Sequence, residues 1–204
     1  MNQQLEQVAA ALRRRGFDAA AFDTAAGAVD FILGDLPPAQ EIGMGGSATL
    51  AQMNLDGTLR EAGHTVRWHQ GAPAGEAAAI RRQAAGAPVY LSSANAITAD
   101  GLIVQFDGTG NRVAALCYGP ATVYIVAGRN KIVQGGYAQA VRRIKQVACP
   151  LNARRLRLNT PCAQTGRCDV SACAHPMCNL FLAMERAPGG KRTQVILVDE
   201  DLGF

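Results

Sequence analysis

Four cysteines, Cys162, Cys168, Cys173 and Cys178, fall within 17 residues and are separated by five, four and four positions. Thiols gathered this closely can enclose one metal ion or exchange electrons as a thiol–disulfide couple. Zinc ligands usually come in pairs about two to four residues apart, and ferredoxin runs use gaps of about two, so neither pattern is matched. The four cysteines are candidate metal ligands for zinc or an iron–sulfur cluster, with His175 as a substitute ligand. The competing reading is a compact loop of reduced, packed thiols, since free cysteine behaves as a small hydrophobe. Cys117 and Cys149 lie in apolar contexts and are expected in the core.

A second group is glycine-rich. Gly43-Met44-Gly45-Gly46-Ser47-Ala48-Thr49 stands between an expected strand and an expected helix. Free backbone N–H groups at such a junction attract anions, and glycines let a phosphate or carboxylate approach. Gly43, Gly45 and Ala48 formally fit a dinucleotide fingerprint, but the next strand ends in Trp68-His69 where an acidic residue is wanted. No lysine follows as in a P-loop, and no Gly-x-Ser-x-Gly elbow makes Ser47 a nucleophile. Gly43, Gly45, Gly46, Ser47 and Thr49 are therefore candidate anion contacts, against a plain strand-to-helix turn capped by Ser47. His64 and His69 flank the next strand and read as structural, with Trp68 as core or pocket wall.

A third group lies in mid-chain, where polar residues interrupt an apolar stretch at expected strand ends. Asn95, Thr98, Asp100, Asp107, Thr109, Asn111, Arg112, Asn130 and Lys131 could furnish a pocket, with Gly108 and Gly110 as turn residues between them. Asp107 is the best carboxylate for a general base, while Arg112 and Lys131 could clamp a phosphate or carboxylate. The same residues equally suit a hairpin turn at 107–111.

The elements that must position these groups follow from periodicity. Leu5, Val8, Ala9 and Leu12 recur at helical spacing before a basic turn and Gly16. Short apolar runs then alternate with helical patterns: a strand at 19–22, a helix at 25–33 closed by Pro37-Pro38, a strand at 41–44, a helix or helix pair after Ser47, a strand at 64–68 and a helix at 76–85. Three strand-like runs follow, at 89–92, 101–106 and 112–117, expected as hairpins on the same sheet. A strand at 122–127, a helix at 137–149 that Pro150 ends or interrupts, and a last strand at 193–198 complete the chain. The expected fold is a three-layer α/β domain over 1–204, with a mostly parallel sheet and a mid-chain β-hairpin elaboration.

Composition agrees. At 204 residues and 49% hydrophobic, the chain can bury a core without disulfides. The net charge of +4 is small and its arginines are scattered, which argues against a nucleic-acid stripe. No apolar run approaches a membrane span, and the N-terminal basic residues follow the apolar part, opposite to a signal peptide. The chain reads as a cytoplasmic protein with neither nucleic acid nor membrane as partner; self-association stays open.

The segments GMGGSATLAQMNL, SANAITADGLIVQFDGTGNRVAALCYGPATVYIVAGRNKIV, ACPLNARRLRLNTPCAQTGRC and VILVDEDLGF together resemble the LUD domain, or lactate-utilisation, family over residues 42–204. The resemblance implies a fold similar to the glucosamine-phosphate deaminase, ribose-phosphate isomerase and coenzyme A transferase superfamily. It also implies a part in oxidising L-lactate to pyruvate beside iron–sulfur partner subunits. The family's crevice would map onto the glycine-loop and mid-chain residues already singled out. Close members carry a cysteine two or three positions after Cys168, where Val170 and Ser171 stand here. Long relatives carry a ferredoxin-like extension, so electron transfer beyond one thiol pair is expected from another polypeptide. Three readings result: binding of a small anionic metabolite or a nucleotide- or coenzyme A-like ligand in organic acid oxidation; a sugar-phosphate isomerase-like enzyme with Asp107 as base; or a cysteine-loop redox or metal-binding protein. Coenzyme A transfer proper ranks below these, because the mid-chain cluster contains no nucleophilic glutamate.

Overall fold

The computed structural model describes residues 2–73, 75–174 and 176–204; the candidate ligand His175 lies outside the described residues. The N-terminal half follows the expected alternation. Helix α1 (Gln3–Arg14) is capped by the Asn2 side chain, buries Leu5, Val8, Ala9 and Leu12, and is followed by Gly16 at φ +83°. Then come β1 (Asp18–Phe22), α2 (Ala25–Asp35), β2 (Glu41–Met44), the short pair α3 (Ala48–Gln52) and α4 (Leu55–Glu61), β3 (Thr65–Trp68) and α5 (Ala77–Ala85). With β4 (Val89–Ser93), β7 (Thr122–Gly128) and β10 (Arg192–Val198) they build a six-stranded parallel sheet in the order β1-β10-β7-β4-β2-β3.

Alternation along the central strands sorts side chains onto two faces. Tyr90, Val123, Ile125, Val195 and Leu197 pack towards α1, while Leu91, Tyr124, Val126, Ile196 and Val198 pack towards α2, α3 and α4. Both faces are covered, as a parallel sheet requires. This gives the expected three-layer α/β arrangement.

Mid-chain, the structure departs from expectation in three ways. First, the hairpin strands do not extend the main sheet. The chain leaves it at Asn95, whose N–H donates to Gln105 Oε1 at 3.1 Å and whose Oδ1 accepts the Phe106 N–H at 2.8 Å. Here β5 (Ala96–Thr98), β6 (Ile103–Asp107), β8 (Ile132–Val133) and β9 (Leu180–Met184) form a second sheet in the order β8-β5-β6-β9. Its two faces explain the separation: Ile97 and Ile103 pack with α1 under the main sheet, whereas Ala96 and Val104 meet a further helical layer through Ala140 and Ile144.

Second, the run at 112–117, expected as a strand, is the helix α6 (Asn111–Cys117). Its opening N–H groups are satisfied by the Asp107 carboxylate, which accepts from Arg112 N at 2.9 Å and Val113 N at 3.1 Å. A short apolar run does not by itself distinguish strand from helix, and this capping contact decides it. The stretch at 107–111 is accordingly a strand-to-helix junction instead of a hairpin turn.

Third, of the two outcomes expected at Pro150, the helix is interrupted and not ended, and it runs on past residue 149. The helical path runs through α7 (Tyr137–Arg143), a π-helical stretch at Ile144–Ala148, and α8 (Cys149–Arg155). The wider π turn makes room for the prolyl ring and absorbs its missing donor. Helix α9 (Pro161–Thr165), capped by Thr160, and strand β9 had no expected counterpart. Among the described residues, no helix is long and apolar enough to cross a membrane.

Gly43 illustrates how tightly β2 is seated. A Cβ there would lie 2.1 Å from the Ala84 carbonyl oxygen on α5 and 2.8 Å from the Tyr90 ring on β4. Gly43→Ala is expected to cost about 2 kcal/mol or more by denaturant unfolding. Gly34→Ala on α2, where nothing lies within 4 Å, is expected to be neutral or to stabilise by up to about 1 kcal/mol. Equal effects at the two positions would contradict this packing.

Candidate functional site

Lys131 closes a 3₁₀ turn (Arg129–Lys131) at the carboxyl end of β7 and is only 4% exposed. Its Nζ donates to Thr49 Oγ1 at 2.7 Å and to Ser93 Oγ at 2.8 Å. Thr49 comes from α3 and is itself anchored by donating to the Leu202 carbonyl at 3.1 Å; Ser93 ends β4. Among the described residues, no carboxylate pairs with this ammonium. Burial, and then repulsion from Arg143 and Arg112, lowers the Lys131 pKa to about 7.

Beside Lys131 opens a cavity of about 460 Å³, to which Arg81, Arg112 and Arg155 bring three guanidinium groups. His69 on its wall is neutral at physiological pH, its pKa lowered to about 4 by burial and then by Arg81 and Arg112. Among the described residues, the acidic side chain in the lining is Asp107, and its oxygens are occupied. Oδ1 accepts from Gly108 N at 2.8 Å and from Arg112 Nη2 at 3.2 Å, and Oδ2 caps α6. Burial alone would raise the Asp107 pKa, but Arg112 and the backbone donors at Val113 and Gly108 outweigh it and hold it below the usual carboxylate value. Asp107 is therefore poorly placed to take up a proton, and Lys131 is the group of this cavity that titrates near neutrality.

The glycine loop divides by role. Gly46 and Ser47 line the cavity; Ser47 caps α3 through Leu50 N and donates its own N–H to Gln70 Oε1 at 3.2 Å. Gly45 lies behind Arg112, where a Cβ would sit 2.7 Å from Arg112 Cγ, and its carbonyl accepts from Trp68 Nε1. Gly43 serves the packing of β2 against α5, and Thr49 reaches the site through Lys131.

The mid-chain residues divide likewise. Asn95, Asp107, Gly108, Thr109, Asn111, Arg112 and Lys131 reach the cavity. Gly110, at φ +86°, makes the turn into α6. Asn130 holds the C-terminal segment, accepting from Leu202 N at 3.1 Å and donating to the Gly203 carbonyl at 3.2 Å. Thr98 is away from the cavity, its hydroxyl accepting from Leu102 N at 2.9 Å and donating to Asp100, which pairs with Arg15.

Several site residues had no signal in the motifs. Ser93 came just after the expected strand at 89–92, Arg81 fell in the expected helix at 76–85, and Arg155 fell beyond the expected helix at 137–149; none was singled out. Arg143 positions the site from below, donating to the Asn95 carbonyl at 2.7 Å and the Asn130 carbonyl at 2.8 Å. Phe204 forms part of the wall, and Gly203 passes so close that a Cβ would lie 2.5 Å from Thr49 Oγ1. The glycine in the closing Asp-Leu-Gly-Phe was the available clue. His64 is structural, as expected, accepting the Gln40 N–H at 3.1 Å.

The clustered cysteines line a separate cavity of about 280 Å³. Cys162, Cys168, Cys173 and Cys178 are joined there by Cys149 and Lys145. Lys145 Nζ lies 3.4 Å from Cys178 Sγ, and Cys178 packs against the apolar cluster that contains Cys149. The neighbouring Cys149 thiol, and Lys145 beside it, lower the Cys178 pKa although burial opposes this; the Cys149 thiol is pushed up. Among the described residues, no group of three or more Cys, His, Asp or Glu is arranged to hold a metal ion. All six cysteines are unbridged. Cys149 is buried as expected, but Cys117, at the end of α6, is exposed and not in the core.

A three-layer α/β domain with a cationic cavity at the carboxyl ends of its central strands is thus defined. The LUD domain family model matches residues 5–198, and the chain belongs to this family. A DUF162 family protein from Deinococcus radiodurans has a similar solved structure, with a TM-score of 0.53 at 19% identity over 96% of both chains. At that identity the likeness shows the fold. No curated protein sequence matches the chain.

The buried lysine has a consequence for stability. Between about pH 7 and the ordinary lysine value, the unfolded chain holds the Lys131 proton more tightly than the folded one. Stability from this group therefore rises with pH through that window, by at most about 1.4 kcal/mol per unit, and its full cost is present below it. Lys131→Met is expected to flatten the slope of unfolding free energy measured in urea from pH 7 to 9. Unchanged slopes in parent and variant would contradict the assignment.

Proposed function

We propose that this LUD domain binds a small anionic metabolite in the Lys131 cavity and serves organic acid oxidation of the kind the family name, lactate utilisation, denotes. The carrying observation is the charge balance of the cavity: Lys131 and three arginines face it, while the lining carboxylate, Asp107, is already consumed by four donors. A carboxylate entering here meets donors already held in place by the fold, which lowers the cost of ordering them. Nδ1 of His69 and Nε of Arg81 are buried without a hydrogen-bond partner among the described residues and add capacity on the glycine-loop side.

The ligand's negative charge favours the protonated form of Lys131 and draws a proton onto it. Binding and proton uptake are therefore one event. Iron–sulfur subunits would be the electron acceptors when the bound acid is oxidised. The volume also accommodates part of a nucleotide- or coenzyme A-like ligand, with its phosphate at the arginines. An isomerase-like activity remains a second reading, favoured by one feature, the titration of Lys131 near neutrality. Lys131, in place of Asp107, would then carry the proton.

Thermal unfolding with L-lactate, pyruvate, inorganic phosphate and coenzyme A, each supplied separately, tests the reading. At a concentration about a hundredfold above Kd, the preferred anion is expected to stabilise by about 2.7 kcal/mol, roughly 5–10 °C. Arg112→Gln and Gly45→Val, which displaces the Arg112 side chain, are expected to remove that shift. Calorimetry at pH 8 in buffers of different ionisation enthalpy is expected to show proton uptake that Lys131→Met abolishes. Equal shifts in parent and variants, or no response to any of the four, would contradict it.

A further inference from the structure

We propose that Cys178 is a peroxide-reactive thiol that closes a disulfide with Cys149, making the second cavity a site of reversible oxidation. The proposal stands on geometry and is independent of the anion-binding reading. Cys178 lies in the connection between α9 and β9, and Cys149 opens α8; the chain brings them together across 29 positions of sequence. Cys178 packs against the apolar cluster that contains Cys149, and both line the one cavity, so a bond between their sulfurs joins side chains that the fold already places together.

Lys145, one turn before Cys149 on the π-helical stretch, places its ammonium 3.4 Å from the Cys178 sulfur. That charge favours the thiolate, which is the nucleophile. The other thiols lack this combination. Cys162 is buried and shares a 3.3 Å contact with the Thr160 hydroxyl, and Cys117 stands exposed outside the cavity. Cys178 is partly accessible, while Cys149 is buried behind it, which is the arrangement of an attacking thiol and a resolving one.

The oxidant is hydrogen peroxide. The Cys178 thiolate attacks one peroxide oxygen, the O–O bond breaks, and the departing hydroxide takes a proton from Lys145 to become water. Cys178 is now a sulfenic acid, oxidised by two electrons. Cys149 gives its proton to Lys145 and its sulfur attacks the Cys178 sulfur. The S–S bond forms and hydroxide leaves, to be protonated by solvent. Two thiols and one peroxide thus yield one disulfide and two waters, and a low-molecular-weight thiol would reverse the change.

The test treats the reduced protein with one to two equivalents of hydrogen peroxide, alkylates the remaining thiols and maps the peptides by mass spectrometry. The expected product has lost two of its six free thiols to a single Cys149–Cys178 bond, and thiol reductant restores both. Cys149→Ser is expected to stop at a Cys178 sulfenic acid that dimedone traps, and Lys145→Met to slow its formation about tenfold. Wild-type mapping needs no substitution, so an unstable variant does not spare the proposal. Oxidation that begins at Cys168 or Cys117, or that leaves Cys149 free once Cys178 has reacted, would overturn it.

Discussion

A buried lysine with no carboxylate partner among the described residues is the constraint around which this structure is organised. Lys131 is held by two hydroxyls, and each arrives from a different part of the chain. Ser93 requires β4 to end beside β7, and Thr49 requires the helix that follows β2. The C-terminal segment then closes over Thr49 through the Leu202 carbonyl, with Gly203 passing where a side chain would collide. A displaced strand end would leave the ammonium with too few acceptors in a dry environment, at a cost of several kcal/mol. The parallel sheet keeps those ends in register, Val89 opposite Thr122 and Val195 opposite Ile125.

The charges near Lys131 serve two purposes. Arg143 donates to the carbonyls of Asn95 and Asn130, fixing the exits of β4 and β7, while Arg112 and Asp107 bind each other across the start of α6. Asp107 thus acts as a helix cap and as the counter-ion of one arginine. The excess positive charge that remains faces the cavity. Segment 177–179 ties this region to the thiol cavity: Met177 lines both, and Asn179 bonds Asp107 and Gly108 through their carbonyls at 2.9 and 3.0 Å.

Much of the fold was legible because it is written in local periodicity. The βα alternation to residue 93, the glycine loop and the last strand all carry their patterns within a few residues. What escaped depends on distant contacts. The run at 112–117 became a helix because a carboxylate five residues before Arg112 caps it, and Pro150 continued its helix because a π turn precedes it. The site was half legible. Asp107, Arg112 and Lys131 announced themselves as charges among apolar residues, and the structure brings all three to one cavity, with the Asp107 carboxylate occupied as a helix cap. Thr98 and Gly43 resembled ligand contacts because polar turns and close packing draw on the same residues. Ser93, Arg81 and Arg155 were silent, since a serine in a strand and arginines on helices are ordinary until the topology brings them to one wall. Cys149 was hidden for the same reason, as its partners lie across the helical layer and not beside it in sequence.

The most direct measurement is the titration of Lys131 itself by NMR, with ¹³C at the lysine Cε positions and Lys131→Met to assign the resonance. A Lys131 resonance that changes charge near pH 7 is the expected result. A Lys131 resonance that titrates near the ordinary lysine value of about 10.4 would show the ammonium to be solvated or paired, and would remove the constraint from which the cavity's chemistry is derived.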